Sequence, residues 1–321
     1  MLPKNEGYLH WHIADWCNYA CSYCCENRFD KDKKPRFVKE PLLGAALRFL
    51  KALPGHWTVR LTSGEPSTHP ELLYITRRLA EMGHDISIIT NLSLPLERYQ
   101  RFVLEAGHRL DYLHISFHLE EADEREFIAK CAALKGFLAK RAAADLMGVY
   151  CVALPEYSEK IRSAMERFKG KGIDLKLQLY MPNARALGMR SPRRSAVFLG
   201  ASRSAPEQPS RLQKAAWSLL KESRWAAVRH EGRKMIESFP GSFEPSAVPK
   251  LESPKGKPCL AGIKWIVVDV GGDVWRCHNA YQGDHLPGVY LGNVLKGDVA
   301  LLPTVLPCSY DYCGCPGHPI D

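Results

Sequence analysis

The 321-residue sequence has no apolar run long enough to cross a bilayer. Its first seven residues are polar, and the stretch that follows carries His10, His12 and Asp15, so no secretory signal opens it. Those absences exclude a membrane protein, and a soluble cytoplasmic one is expected. No internal repeat is visible, and 45% hydrophobic residues exclude a disordered chain. Cysteine is nearly missing from the middle, where only Cys131 and Cys151 occur. The other nine of the 11 sit in two groups: Cys17, Cys21, Cys24 and Cys25, then Cys259, Cys277, Cys308, Cys313 and Cys315. In a reducing compartment such grouping argues for metal or redox chemistry rather than disulfides. Acidic residues are also in deficit, 35 against 44 Lys plus Arg, for a formal charge of +9. The deficit is local. Residues 182–237 hold twelve Lys/Arg and four Asp/Glu, a surplus of eight, which leaves +1 for the rest.

What is present first is a rhythm of short β-rich runs and helical patterns. Strands are expected at 8–14, 57–62, 86–90, 112–117, 147–154 and 175–180, each rich in the residues of buried strands. Helices are expected between them, at 42–53, 71–82, 120–140 and 159–169. Six βα units in a row predict an α/β fold, a partial (β/α)6 TIM-like barrel with outer helices. In such a fold the residues just after each strand gather at one end and build the site. The expected division is a core over 1–185, a basic linker with a helix at 211–238 over 186–250, and a small α+β domain over 251–321. In that last domain 263–270 and 274–277 read as a hairpin around Gly271-Gly272-Asp273.

The first chemical motif, Cys17-Asn-Tyr-Ala-Cys21-Ser-Tyr-Cys24, directly follows the first strand. Three thiolates at this spacing suit a cubane iron–sulfur cluster that keeps one iron open for another ligand. Zinc is the alternative, but adjacent Cys25 makes a poor fourth ligand for a closed site. The chain here resembles the radical S-adenosylmethionine (SAM) enzymes. That resemblance implies a [4Fe-4S] cluster held by Cys17, Cys21 and Cys24, with the amino and carboxylate groups of SAM on the open iron. It implies reductive cleavage of SAM to methionine and a 5′-deoxyadenosyl radical, which takes hydrogen from substrate. Tyr23 matches the aromatic residue near adenine in that family.

Further motifs fall at the right strand ends. Thr62-Ser63-Gly64-Glu65-Pro66 resembles the family's Gly-Gly-Glu-Pro loop, with Ser63 in place of the first glycine. The resemblance implies that Ser63, Gly64 and Glu65 bind the ammonium of SAM, Gly64 permitting close approach. A plain turn with Thr68 capping the next helix is the other reading. Asn91 after the third strand, and Ser116 and His118 at the end of the fourth, match polar positions near the cofactor; turn residues or a solvated histidine are the alternatives. Residues 149–154 would meet adenine. Cys151 is a candidate hydrogen-atom donor to a substrate radical, or an ordinary buried thiol, as Cys131 is expected to be.

The second cysteine group resembles the SPASM domain or its shortened twitch form: Cys259, the Gly272-x4-Cys277 hairpin, and Leu291-Gly292-Asn293 before the last cysteines. The full SPASM pattern has seven cysteines for two clusters, and five are present. One auxiliary [4Fe-4S] cluster is therefore expected from Cys259, Cys277, Cys308, Cys313 and Cys315, with Cys308 and Cys315 alternatives for one place. A structural zinc site is the other reading. The resemblance implies a peptide or small-molecule substrate, anionic if the basic segment guides it, and an electron donor such as flavodoxin or ferredoxin. Only sixteen residues precede Cys17, so no fused leader-binding domain is expected. A nucleic-acid partner is disfavoured, because the basic segment lacks an interleaved aromatic motif.

Overall fold

The structure, a computed structural model, describes residues 6–24, 35–179, 238, 255–282 and 288–310. The basic segment, the helix expected at 211–238 apart from Ser238, and Cys25, Cys313 and Cys315 lie outside the described residues.

Six strands follow the expected rhythm: β1 (Glu6–His12), β2 (His56–Thr62), β3 (Asp85–Thr90), β4 (Leu110–Phe117), β5 (Met147–Ala153) and β6 (Leu175–Leu179). They pair in sequence order and all in parallel, so each connection must cross over. Helices α1 (Leu42–Ala52), α2 (Leu72–Glu81), α3 (Leu96–Ala106), α4 (Glu124–Ala139) and α5 (Ser158–Lys169) make those crossovers. Each buries a stripe at helical spacing, such as Tyr99, Phe102, Val103 and Ala106 of α3 or Phe127, Cys131, Leu134 and Leu138 of α4. Helix α4 starts later than the sequence pattern suggests. Asp123 accepts a hydrogen bond from the Glu126 amide at 2.8 Å and caps it there, freeing 118–122 to form a turn at the site.

The strands are two-sided. Leu9, Trp11, Val59, Leu61, Ile115 and Phe117 point into the apolar core shared with the helices. Their neighbours Tyr8, His10, Arg60, Tyr112, His114 and Ser116 face the other way, onto a polar inner face.

The C-terminal segment was expected as a separate small domain, yet its strands extend the same sheet. Strand β8 (Trp265–Val268) pairs in parallel with β1, matching Tyr8 to Trp265 and Trp11 to Val268. Strands β9 (Asp273–Trp275) and β10 (Tyr290–Asn293) continue outward antiparallel, giving a nine-stranded sheet. Val274 joins the main core through this edge. The turn before β9 is built by Asp269, which accepts hydrogen bonds from the amides of Gly271 (2.8 Å) and Asp273 (3.0 Å). A second small sheet pairs β7 (Pro258–Cys259) with β11 (Leu306–Pro307), and a one-turn helix α6 (His278–Gln282) follows β9. Among the described residues no helix is long and apolar enough to cross a membrane.

Candidate active site

The loop carrying Cys17, Cys21 and Cys24 leaves the carboxyl end of β1 and is gripped by the loops that follow the next three strands. The grip after β2 is backbone to backbone. The Glu65 amide donates to the Trp16 carbonyl at 2.9 Å, and a Cβ on Gly64 would collide with that same oxygen. The close approach that Gly64 permits is therefore to the chain's own cysteine loop. Ser63 beside it has φ 74°, a left-handed backbone in which glycine would carry no strain.

Glu65 lies 1% exposed, with its carboxylate turned inward. It accepts from the Ser67 amide (2.9 Å), the Thr90 hydroxyl (2.7 Å) and the Asn91 amide (2.6 Å), tying the end of β2 to the end of β3. It also caps the short 3-10 turn Pro66–Thr68, while α2, which Thr68 was expected to cap, has Glu71 at its N-cap and no side-chain cap. Burial raises its pKa while these donors lower it. Asn91 passes the connection on. Its side-chain amide donates to Asn18 Oδ1 at 3.0 Å and approaches Cys17 Sγ at 3.9 Å. Asn18 in turn donates to Ser93 Oγ at 2.9 Å.

The third grip comes from the turn after β4. Glu121 accepts from the Ala20 amide at 3.1 Å, and Glu120 accepts from the amide and hydroxyl of Ser22 at 2.7 and 2.6 Å. No sequence signal singled out these two carboxylates. Tyr23 pairs through its hydroxyl with His118 Nδ1 at 3.0 Å and stacks near the same ring. Burial holds His118 down at about 4, so its imidazole is neutral at pH 7. Because this turn follows the fourth strand, the sheet must curl to bring it over the loop of the first.

Ser116 lies on the inner face below this cluster. Cys151, 2% exposed, lies with Phe117 in the apolar core between sheet and helices, and its Sγ approaches the Val152 carbonyl at 3.5 Å. The fold does not bring that thiol to the inner face, where a hydrogen donor to substrate would stand. Cys131 is wholly buried on α4.

The donor set of the first loop fits an iron–sulfur cluster. Three thiols stand on eight residues of loop, and the Tyr19 amide (3.4 Å) and the Asn91 amide side chain point hydrogens at Cys17 Sγ. Burial pushes the Cys17 and Cys21 thiols up to about 12, so metal binding must displace their protons.

The model of the radical SAM superfamily matches residues 11–182. The chain belongs to the radical SAM superfamily. Among curated relatives it is similar to a GTP 3′,8-cyclase of Rhizobium leguminosarum bv. trifolii (strain WSM2304), 27% identical over 54% of this chain and 52% of the relative. A GTP 3′,8-cyclase of Stenotrophomonas maltophilia (strain K279a) is 29% identical over 39% of this chain and 37% of the relative. The matched stretches thus span about half or less of those relatives' length. Among solved structures, the fold is similar to Streptococcus suis SuiB bound to its precursor peptide SuiA, with TM-score 0.51, 13% identity, and 92% of this chain and 63% of that one covered. A radical SAM chain implies a SAM-binding [4Fe-4S] cluster.

A second group of thiols forms at the far edge of the sheet. The β7–β11 pair sets Leu306 opposite Cys259, and the Cys308 amide donates to the Lys257 carbonyl at 2.8 Å. Cys259 and Cys277 lie buried in one small core with Trp265, Trp275 and Tyr310, and Cys308 packs against it. Arg276 binds these segments together. Only 5% exposed, it donates to the carbonyls of Ala261 (2.8 Å), Leu306 (2.7 Å) and Pro307 (3.3 Å). Among the described residues no carboxylate lies within ion-pair distance of it. Spacing left Cys308 and Cys315 equivalent; Cys308 packs against the core that holds Cys259 and Cys277, and Cys315 lies outside the described residues.

Proposed function

We propose that this chain is a two-cluster radical SAM enzyme that modifies an anionic small molecule or a peptide by hydrogen abstraction. The observation that carries the reading is the Cys17–Cys24 loop, clasped at the carboxyl end of the sheet by Gly64–Glu65, Asn91 and Glu120–Glu121. When bound, the [4Fe-4S] cluster and SAM supply the radical that takes hydrogen from substrate. Cys17, Cys21 and Cys24 would hold the cluster. The loops at Ser63–Glu65 and Asn91, with Ser116, Tyr23 and His118, would hold and orient SAM. The chain's own work is then positional: it fixes the cysteine loop, keeps His118 neutral beside Tyr23, and presents the inner face to one C–H bond.

The second thiol group would carry an auxiliary [4Fe-4S] cluster on Cys259, Cys277 and Cys313, with Cys308 or Cys315 to complete it. Arg276 supports an anionic occupant. Among the described residues this guanidinium is buried against carbonyls without a counter-charge, and several kcal/mol favour placing a negative group beside it. Thiolates bound to iron provide that charge. The arrangement that follows is a core over 1–185, a basic linker over 186–250 and an auxiliary segment over 251–321, in a cytoplasmic enzyme fed by a flavodoxin- or ferredoxin-type donor. A nucleotide substrate is the second reading, favoured by the names of the two cyclase relatives.

Iron analysis of the anaerobically reconstituted protein tests the pair of clusters. About eight irons are expected, since each cubane holds four, falling to about four in C259A/C277A. About four irons in both proteins, with zinc retained by the wild type and lost in the variant, would replace the auxiliary cluster with a structural zinc site.

A further inference from the structure

The inner face of the sheet carries a positive charge that the cluster chemistry does not use. Along β2 the side chains alternate, so Val59 and Leu61 enter the apolar core and Arg60 faces inward. Arg60 stands opposite His10 on β1 and Ser87 on β3, and Ser87 stands opposite Tyr112 on β4. It lies two residues before Thr62, about 7 Å below the strand end where the Ser63–Glu65 loop begins.

The protein gives this guanidinium two partners. Its Nε donates to Ser87 Oγ at 3.2 Å, and the group lies 4.9 Å from the centre of the Tyr8 ring. Among the described residues no carboxylate lies within ion-pair distance and no other hydrogen bond is made to it. Asp111, whose charge is felt at Tyr8 and Tyr112, stands farther off than that. Four of the five guanidinium hydrogens therefore have no acceptor among the described residues.

The surroundings are aromatic and flat. Tyr8 stacks on Trp265 with ring centres 4.6 Å apart at 6°, and the buried Trp265 indole N–H has no acceptor among the described residues. On the opposite wall His114 stacks on Tyr150 at 3.9 Å and 3°. The Tyr112 and Tyr150 hydroxyls pair at 2.9 Å, and Gln178 meets His114 Nε2 at 3.3 Å. Burial and the charge of Arg60 hold His114 down at about 3, so it adds no charge of its own.

We propose that Arg60 anchors an anionic group of the substrate, a carboxylate or a phosphate, on the inner face below the SAM site. The inference rests on the enzyme reading and names the substrate's recognised chemistry. A planar fork with free N–H groups matches either oxyanion in two-point contact, and the partly enclosed setting strengthens it. Held there, the rest of a small substrate extends about 7 Å toward the mouth, where the cysteine loop stands.

Titration calorimetry on the full-length protein, with inorganic triphosphate and with citrate as probes, tests the assignment. At least one probe should bind the wild type, with affinity falling tenfold or more in R60Q and by less in R60K, which keeps the charge without the fork. Tenfold corresponds to about 1.4 kcal/mol. Dependence of triphosphate alone on Arg60 identifies a phosphate site, and dependence of citrate alone a carboxylate site. The basic 182–237 segment would bind either anion regardless of Arg60. Binding that is absent, or equal in wild type, R60K and R60Q, overturns the proposal. R60K guards against a folding defect in R60Q. 5′-Deoxyadenosine formation by the same wild-type preparation separates the two ideas: its absence counts against the enzyme reading and leaves the anion result standing.

Discussion

Replacing Glu65 by alanine should destabilise the protein even with no cluster or SAM bound. The carboxylate is fully buried and accepts three hydrogen bonds, two of them from the backbone amides of Ser67 and Asn91. Truncation leaves both amides buried without acceptors, at about 1–3 kcal/mol each, while the Thr90 hydroxyl loses about 1 kcal/mol. Relief from burying a carboxylate offsets part of this. The net loss works out at about 4 kcal/mol, which for a unit of this size lowers the melting temperature by roughly 8–16 °C. The assay is thermal and urea unfolding of the cofactor-free protein. If Glu65 serves only to contact SAM, E65A will unfold like the wild type and lose SAM binding alone. A stability change under about 1 kcal/mol would therefore refute the reasoning, because burial and three short hydrogen bonds would then count for nothing.

Other outcomes follow from the same geometry. S63G should stabilise the protein by about 1 kcal/mol in urea titrations, since Ser63 holds φ 74° where glycine is unstrained; a loss would show that the Ser63 side chain outweighs the strain. E120Q/E121Q should lose iron to a chelator several times faster than wild type while folding normally, because the carboxylates hold the amides of Ala20 and Ser22. His114, pushed down to about 3 when folded against 6.5 when unfolded, is neutral in the native state. Its contribution is complete above about pH 6.5 and falls by roughly 1.4 kcal/mol per pH unit as the pH drops toward 3, because the unfolded chain binds the extra proton. H114F keeps a ring against Tyr150 and should flatten the stability curve in that window; an unchanged slope would remove His114 as its source.

The parts of this fold that were legible in the sequence were those set by local pattern. Short apolar runs such as 57–62 and 86–90 announce buried strands, and their alternation with helical stripes implies crossovers. Helix α3, not named among the expected helices, had a readable stripe too, Tyr99, Phe102, Val103 and Ala106 after Pro95. The pairing of β8 with β1 joins residues some 250 apart and depends on the curl of the whole sheet. Its one local trace is Trp265–Val268, buried on both faces as an interior strand must be.

The site shows the same division. The motif at Ser63–Glu65 marked a loop that grips the cysteine loop, but not the direction of the Glu65 carboxylate, which side-chain packing decides. Glu120 and Glu121 read as the start of a helix, whereas the cap at Asp123 turns them toward the cysteine loop. Arg60 was hidden inside a strand counted as wholly buried. Its alternation with Val59 and Leu61 carried the signal for an inner, polar face.

The central claim is that Cys17, Cys21 and Cys24 hold the cluster that cleaves SAM. The most direct measurement is 5′-deoxyadenosine formation from SAM and dithionite by the reconstituted protein, compared with a C17A/C21A/C24A variant. The account predicts product from the wild type and none from the variant, which should keep the auxiliary cluster and about four irons. Product formed equally by both, or by neither while the wild type holds about eight irons, would contradict it.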